Sequence, residues 1–139
     1  MVRVPATSLA LLLFVAALAP GAGPALANAA YDAGMSALSS TFSPKPGSPS
    51  GSYACTTIDV MHTTRTIVMG TMVVTPGHYS ASGYKWAAGT WSGSGDHLKF
   101  SGQPFNTAQA QYGANRAGRG SMRFIWNPTS QRSVWICTR

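Results

Sequence analysis

From residue 51 onward the chain is divided into short runs with β character, each ending near Gly, Pro, Asn or Asp. The runs read SYACTTIDVM, TIVMGTMVVT, HYSASGY, AAGTWSG, HLKFSG, AQAQYG, SMRFIWN and RSVWICT. Eight such segments at close spacing predict an all-β fold, a small antiparallel barrel or sandwich of about eight strands. In the first run Tyr53, Cys55, Thr57, Asp59 and Met61 share one face, while Ala54, Thr56, Ile58 and Val60 share the other, a period of two. Thr66–Thr75 is nearly continuous and β-branched, the pattern of a strand covered on both faces. After residue 51 no stretch sustains the apolar stripe of a helix.

The aromatic residues fit this plan. Met122, Phe124 and Trp126 alternate with Arg123 and Ile125, and Val134 and Ile136 alternate with Trp135 and Cys137, so one face of each run can fill a core. Many other rings stand beside glycines, as in Gly51-Ser52-Tyr53 and Gly89-Thr90-Trp91. A ring lying over a neighbouring strand's glycine fills the gap its missing side chain leaves, which favours a structural role for these rings, with stacking on a ligand at an open barrel mouth as the alternative.

The N-terminal part is of a different kind. Arg3, the eleven apolar residues Leu9–Ala19 and the small residues Ala25-Leu26-Ala27 have the layout of a secretory leader, which sets the expected mature start at Asn28. Eleven residues fall short of the roughly 20 that a spanning helix needs, and no later segment is apolar enough to cross a bilayer. Residues 28–50 then form an arm. From Asn28 to about Thr41, with Met35 and Leu38 at i, i+3, the pattern suggests a short helix, too short to stand alone, and FSPKPGSPSGS, with three prolines, reads as a linker. The expected organisation is a signal peptide over residues 1–27, an arm and linker over 28–50 and a β domain over 51–139.

Export bears on the two cysteines. Cys55 and Cys137 stand in the first and last runs, and in an oxidising compartment they most simply join. Closing a loop of about 80 residues stabilises a fold by roughly 4 to 5 kcal/mol in the chain-entropy model. Neither cysteine belongs to a C-x-x-C, and neither has a histidine close in sequence to make it a nucleophile.

Charge narrows the function. Without Arg3, nine Lys and Arg face only Asp32, Asp59 and Asp96, a net charge of +6, and the chain contains no Glu. Such a surface is drawn to anionic polymers, glycans, lipid head groups or nucleic acid, or it serves solubility alone. Two facing carboxylates for glycoside hydrolysis are nearly excluded. His62, His78 and His97 lack the spacing of metal ligands, so no metal or cofactor is expected. No G-x-S-x-G elbow is present. The enzymatic reading that survives is a two-histidine ribonuclease, with Lys85 or Arg65 stabilising the developing charge. The basic cluster is YGANRAGRGSMR, where Arg116, Arg119 and Arg123 fall within eight residues among glycines. Guanidinium groups and a Gly-rich loop suit phosphate, sulfate or carboxylate, and Arg123, opposite in face to Met122 and Phe124, is expected to point to water. No nucleic-acid motif accompanies the charge.

Two resemblances follow. Gly51-x-Tyr53-x-Cys55, Thr75–Gly83, Gly89–Trp91, Leu98–Phe105, Tyr112 and the closing Trp135-Ile136-Cys137 resemble a loose group of small exported β-proteins that carries no activity to transfer. The Y-x-C opening and Ser82-Gly83-Tyr84-Lys85-Trp86 are also similar to the periplasmic inhibitors of C-type lysozyme, disulfide-closed β-barrels whose S-G-x-x-Y loop enters the lysozyme cleft. That resemblance implies roles for Ser82, Lys85 and Trp86. In place of the family's downstream T-K-G, this chain has Ser92-Gly93-Ser94 or Ser94-Gly95-Asp96.

The expectation is a secreted or periplasmic β domain stapled by Cys55 and Cys137. It binds an anionic or polymeric partner through Arg116, Arg119, Arg123, Ser82, Lys85 and Trp86, with hydrolase inhibition and ribonuclease chemistry as the alternatives.

Overall fold

The computed structural model describes residues 22–59, 61–83, 88–94, 97–127 and 133–139, with side chains from Ala29 onward. Helix α1 (Ala22–Ser39) is followed by nine strands: β1 (Phe42–Pro44), β2 (Gly51–Ile58), β3 (Thr66–Thr75), β4 (His78–Gly83), β5 (Gly89–Ser94), β6 (His97–Phe100), β7 (Gln109–Asn115), β8 (Gly120–Trp126) and β9 (Ser133–Thr138). One 3₁₀ turn, Phe105–Thr107, lies between β6 and β7. From β2 to β9 each strand pairs antiparallel with the next, and β9 returns to β2, closing an eight-stranded up-and-down barrel. The barrel-or-sandwich alternative thus resolves to a barrel. At the closure Cys55 and Cys137 are direct register partners, and their sulfurs are bonded.

An eight-stranded barrel is just wide enough inside for side chains to fill it, and here aromatic rings fill it. Tyr53, Met72, Tyr79, Phe100, Phe105, Tyr112, Met122, Phe124 and both cysteines form the buried interior, with Trp91, Trp126 and Trp135 packed against it. Phe105 reaches this core from the 3₁₀ turn and not from a strand. Its ring centroid stands 5.8 Å from Tyr79, 4.9 Å from Phe124 and 6.0 Å from Trp135. Among the described residues the interior therefore offers rings where a ligand-carrying barrel would hold a cavity.

The outer faces of β2, β8 and β9 are apolar too, because α1 covers them. Met35 and Leu38 meet Ile58, Ile125, Val134 and Ile136, with Tyr31 at the margin and Phe42 beyond the helix end. Alternation in β8 and β9 thus serves two cores, one inside the barrel and one under the helix. The helix stops where Ser40 Oγ and Thr41 Oγ1 donate to the carbonyls of Ala37 and Leu38, both at 2.7 Å, answering acceptors its last turn leaves free.

Three sequence expectations change. The apolar run of β3 is not covered on both faces: Met72 and Val74 are interior, while Val68 is 69 % exposed and Ile67 and Val73 are exposed as well. A bulge at Met69 separates the pairs Cys55–Gly70 and Thr56–Val68. Beside it β3 and β4 approach so closely that a Cβ on Gly70 would stand 2.0 Å from the Ser82 carbonyl oxygen. Secondly, the helix expected from Asn28 to about Thr41 begins earlier, at Ala22, and ends at Ser39. Thirdly, the proline-rich segment is not a free linker. β6 meets β7 at a single register pair, Leu98–Ala110, and β1 takes the stretch of the β7 edge beyond it, pairing Phe42–Pro44 with Asn115–Gly113. Residues 45–50 then pass over two interior tyrosines: Tyr53 Oη donates to the Pro49 carbonyl at 2.5 Å, and Gly47 lies directly against the Tyr112 ring.

Candidate functional site

In an up-and-down barrel alternate turns lie on alternate rims. One rim carries the β3–β4 and β7–β8 turns, the start of β2 and the end of β9. The β7–β8 turn is a firm hairpin tip. The Asn115 amide donates to the Arg119 carbonyl at 3.0 Å, the Gly118 amide to the Asn115 carbonyl at 2.9 Å, and the Arg119 amide to Asn115 Oδ1 at 2.9 Å. Gly118 takes the left-handed φ of 77° that lets the chain reverse. Arg116 and Arg119 project from this tip, both exposed.

A third guanidinium joins them. Arg139 Nη1 donates to the Ser50 carbonyl and Nη2 to the Ser48 carbonyl, each at 3.1 Å, and Nη2 also donates to Tyr112 Oη. Its guanidinium carbon lies 5.6 Å from the Tyr53 ring centroid and 5.5 Å from that of Tyr112, within cation–π range. The Arg139 amide donates to the Gly120 carbonyl at 3.0 Å. Gly120 leaves the room: a Cβ there would stand 2.5 Å from Arg139 Nε. Arg139 thus pins residues 48–50 over the barrel mouth and rests against the residue that follows Arg119. Every hydrogen-bond partner of its guanidinium named here is neutral. The ion pair found among the described residues is His62–Asp59 at 3.1 Å, and no described carboxylate pairs with Arg116, Arg119 or Arg139. Below the arginine, burial pushes the Tyr53 phenol up to about 12, opposed in part by the positive charge of Arg139.

The structure places Arg123 and Ser82 away from this hairpin tip. Arg123 leaves the interior face as alternation requires, but α1 and not water waits there. Its Nη1 donates to Ser39 Oγ at 3.1 Å, its Nε to Gln111 Oε1 at 3.2 Å, and its guanidinium carbon sits 4.7 Å from the Phe42 ring centroid. Burial lowers its pKa. Arg123 therefore fastens the helix end to the barrel, and its side chain does not point freely to water as expected. Ser82 is near the far end of β4, on the opposite rim, with its hydroxyl 2.7 Å from that of Thr71. Lys85 and Trp86 lie outside the described residues.

The histidines are likewise apart. His62 is in the β2–β3 loop and His78 opens β4 at the opposite end of β3. His97 pairs with Ser94 while His78 pairs with Thr90, so four residues of β5, about 13 Å at strand rise, separate these two. The Asp59 carboxylate is held below its usual range, chiefly by the Met61 amide and then by the His62 side chain. No cluster of three metal-ligating side chains occurs among the described residues.

Sequence reading missed Arg139, which stands in no motif. The available signal was its position two residues beyond Cys137: once Cys55 and Cys137 are paired in register, Arg139 must fall beside the start of β2. The chain matches no protein-family profile, no curated protein and no solved structure. Among the described residues no helix is long and apolar enough to cross a membrane.

Proposed function

We propose that this is an exported, basic β-barrel that binds an acidic polysaccharide at the cell envelope or outside the cell through the rim bearing Arg116, Arg119 and Arg139. The observation that carries the reading is the seating of Arg139 against Gly120, which adds a fixed guanidinium to the two on the hairpin tip with no described carboxylate to neutralise them. Guanidinium groups bind sulfate and carboxylate in bidentate fashion. The ring-filled interior leaves the outer surface and rims for recognition.

The test is calorimetric titration with heparin as the probe at low and moderate salt. Three charge contacts predict an affinity that falls by roughly tenfold or more between 50 and 200 mM NaCl, by counterion release. The Arg116→Gln/Arg119→Gln double variant should lose most of both the affinity and the salt dependence. Arg123→Gln, altered beneath the helix, should keep both. Equal salt dependence in all three proteins, or no heparin binding by the parent, refutes the proposal.

A further inference from the structure

On its outer side, α1 carries a second apolar face that the barrel leaves uncovered. Met35 and Leu38 face the barrel, whereas Ala30, Ala33 and Ala37, spaced i, i+3, i+7, are exposed along the neighbouring stripe. This stripe forms one wall of a recess of about 590 Å³ that is also lined by Ile58, Thr63, Thr64, Thr66 and Arg116. Gly34 sets the recess depth, because a Cβ there would stand 2.6 Å from the Thr63 carbonyl oxygen, so the β2–β3 loop lies directly on the helix. Met61 of this loop is 82 % exposed, and Val68 of β3 is 69 % exposed. The size and the apolar lining with few polar groups are those of small-molecule sites.

The charge in this recess selects the occupant. Arg116 has no described ion-pair partner, and no carboxylate lines the walls. A recess lined mainly by apolar groups, with Arg116 as its one cation, is complementary to an acyl chain that carries an anion. We infer that the recess between α1 and the β2–β3 loop binds a long-chain fatty carboxylate, with the chain along Ala30, Ala33 and Ala37 and the carboxylate on Arg116. This site shares Arg116 with the rim but not Arg119 or Arg139, so the two readings can fail separately.

The experiment is displacement of a dansyl-undecanoate probe from the full chain, below micellar concentrations, by carboxylates from octanoate to palmitate and by dodecanol. Saturable one-to-one binding is expected, tightening by up to about fourfold per methylene over the shorter chains. Dodecanol should bind about tenfold more weakly than dodecanoate, an advantage that Arg116→Gln removes. Ala33→Trp and Ala37→Trp, at exposed positions, should each block the site while leaving the thermal melt in place, and Arg119→Gln should leave fatty-acid binding unchanged while weakening heparin. Any of four results overturns the inference: no saturable binding, binding that survives both tryptophan variants, equal affinity for dodecanol, or a self-association that the tryptophan variants abolish, which would assign the recess to a second copy. Binding that requires anionic vesicles overturns it as well, in favour of a membrane surface.

Discussion

Removing the Cys55–Cys137 bond should cost this barrel a large fraction of its stability without changing its strand pairing. The two sulfurs close a loop with a sequence separation of 82. In the chain-entropy model a loop of that length is worth about 4.5 kcal/mol, against the 5 to 15 kcal/mol of a typical domain. Because Cys55 and Cys137 are wholly buried, serine would add an unpartnered hydroxyl, so the clean perturbation is Cys55→Ala/Cys137→Ala. The neighbouring contacts that hold β2 to β9 remain, including Thr56 Oγ1 donating to the Ile136 carbonyl at 3.3 Å and Thr57 Oγ1 to that of Val134 at 2.8 Å. Urea denaturation followed by tryptophan fluorescence should show the midpoint lowered by about 3 M, for a slope near 1.5 kcal/mol/M. The rim should suffer at the same time, because Arg139 is two residues from the lost bond; heparin affinity should therefore fall even where the variant is folded. A midpoint lowered by less than about 1 M would refute the claim that closure is covalently enforced and would assign barrel stability to packing and hydrogen bonds.

The aromatic interior makes an independent prediction: Phe105→Ala, at a fully buried ring in contact with Tyr79, Phe124 and Trp135, should destabilise by about 3 to 5 kcal/mol, and a urea-melt loss under about 1 kcal/mol would mean the core is filled some other way. Tyr53 predicts alkaline behaviour. Its folded pKa is raised to about 12 from 10.0, so its neutral form is favoured by folding, and the stability this contributes is present below pH 10 and lost between pH 10 and about 12. Ultraviolet titration should find a late-ionising tyrosine in the parent that is missing in Tyr53→Phe, and a tyrosine complement that finishes ionising near pH 10 would contradict this burial.

The strands were legible because each is a short period-two run between turn residues, and those signals are local. The run Thr66–Thr75 coincides with β3 from end to end. The cysteine pairing was legible too, since register partners at a barrel's closure come from its first and last runs. What escaped was tertiary. β1 lies in a stretch rich in Pro and Ser because it pairs only along an edge that β6, four residues long, leaves open. Phe105 stands between the runs HLKFSG and AQAQYG, outside any expected strand, and it is core because the 3₁₀ turn folds it inward. Arg123 and Arg116 are seven residues apart in one basic cluster, yet one lies beneath a helix end and the other stands at a hairpin tip. Sequence charge does not say which neighbour covers a side chain, and α1 supplied that cover.

The position of the sulfur bridge also decides how the molecule would bear tension. A pull applied upstream of Cys55 and downstream of Cys137 passes through the bridge itself, bypassing every strand from β3 to β8. The hydrogen bonds from β3 to β8 would carry almost none of that load, so those strands should stay paired under forces that would unzip an open sheet, while Arg139 and residues 48–50, which lie outside the bridge, would be the first contacts to part.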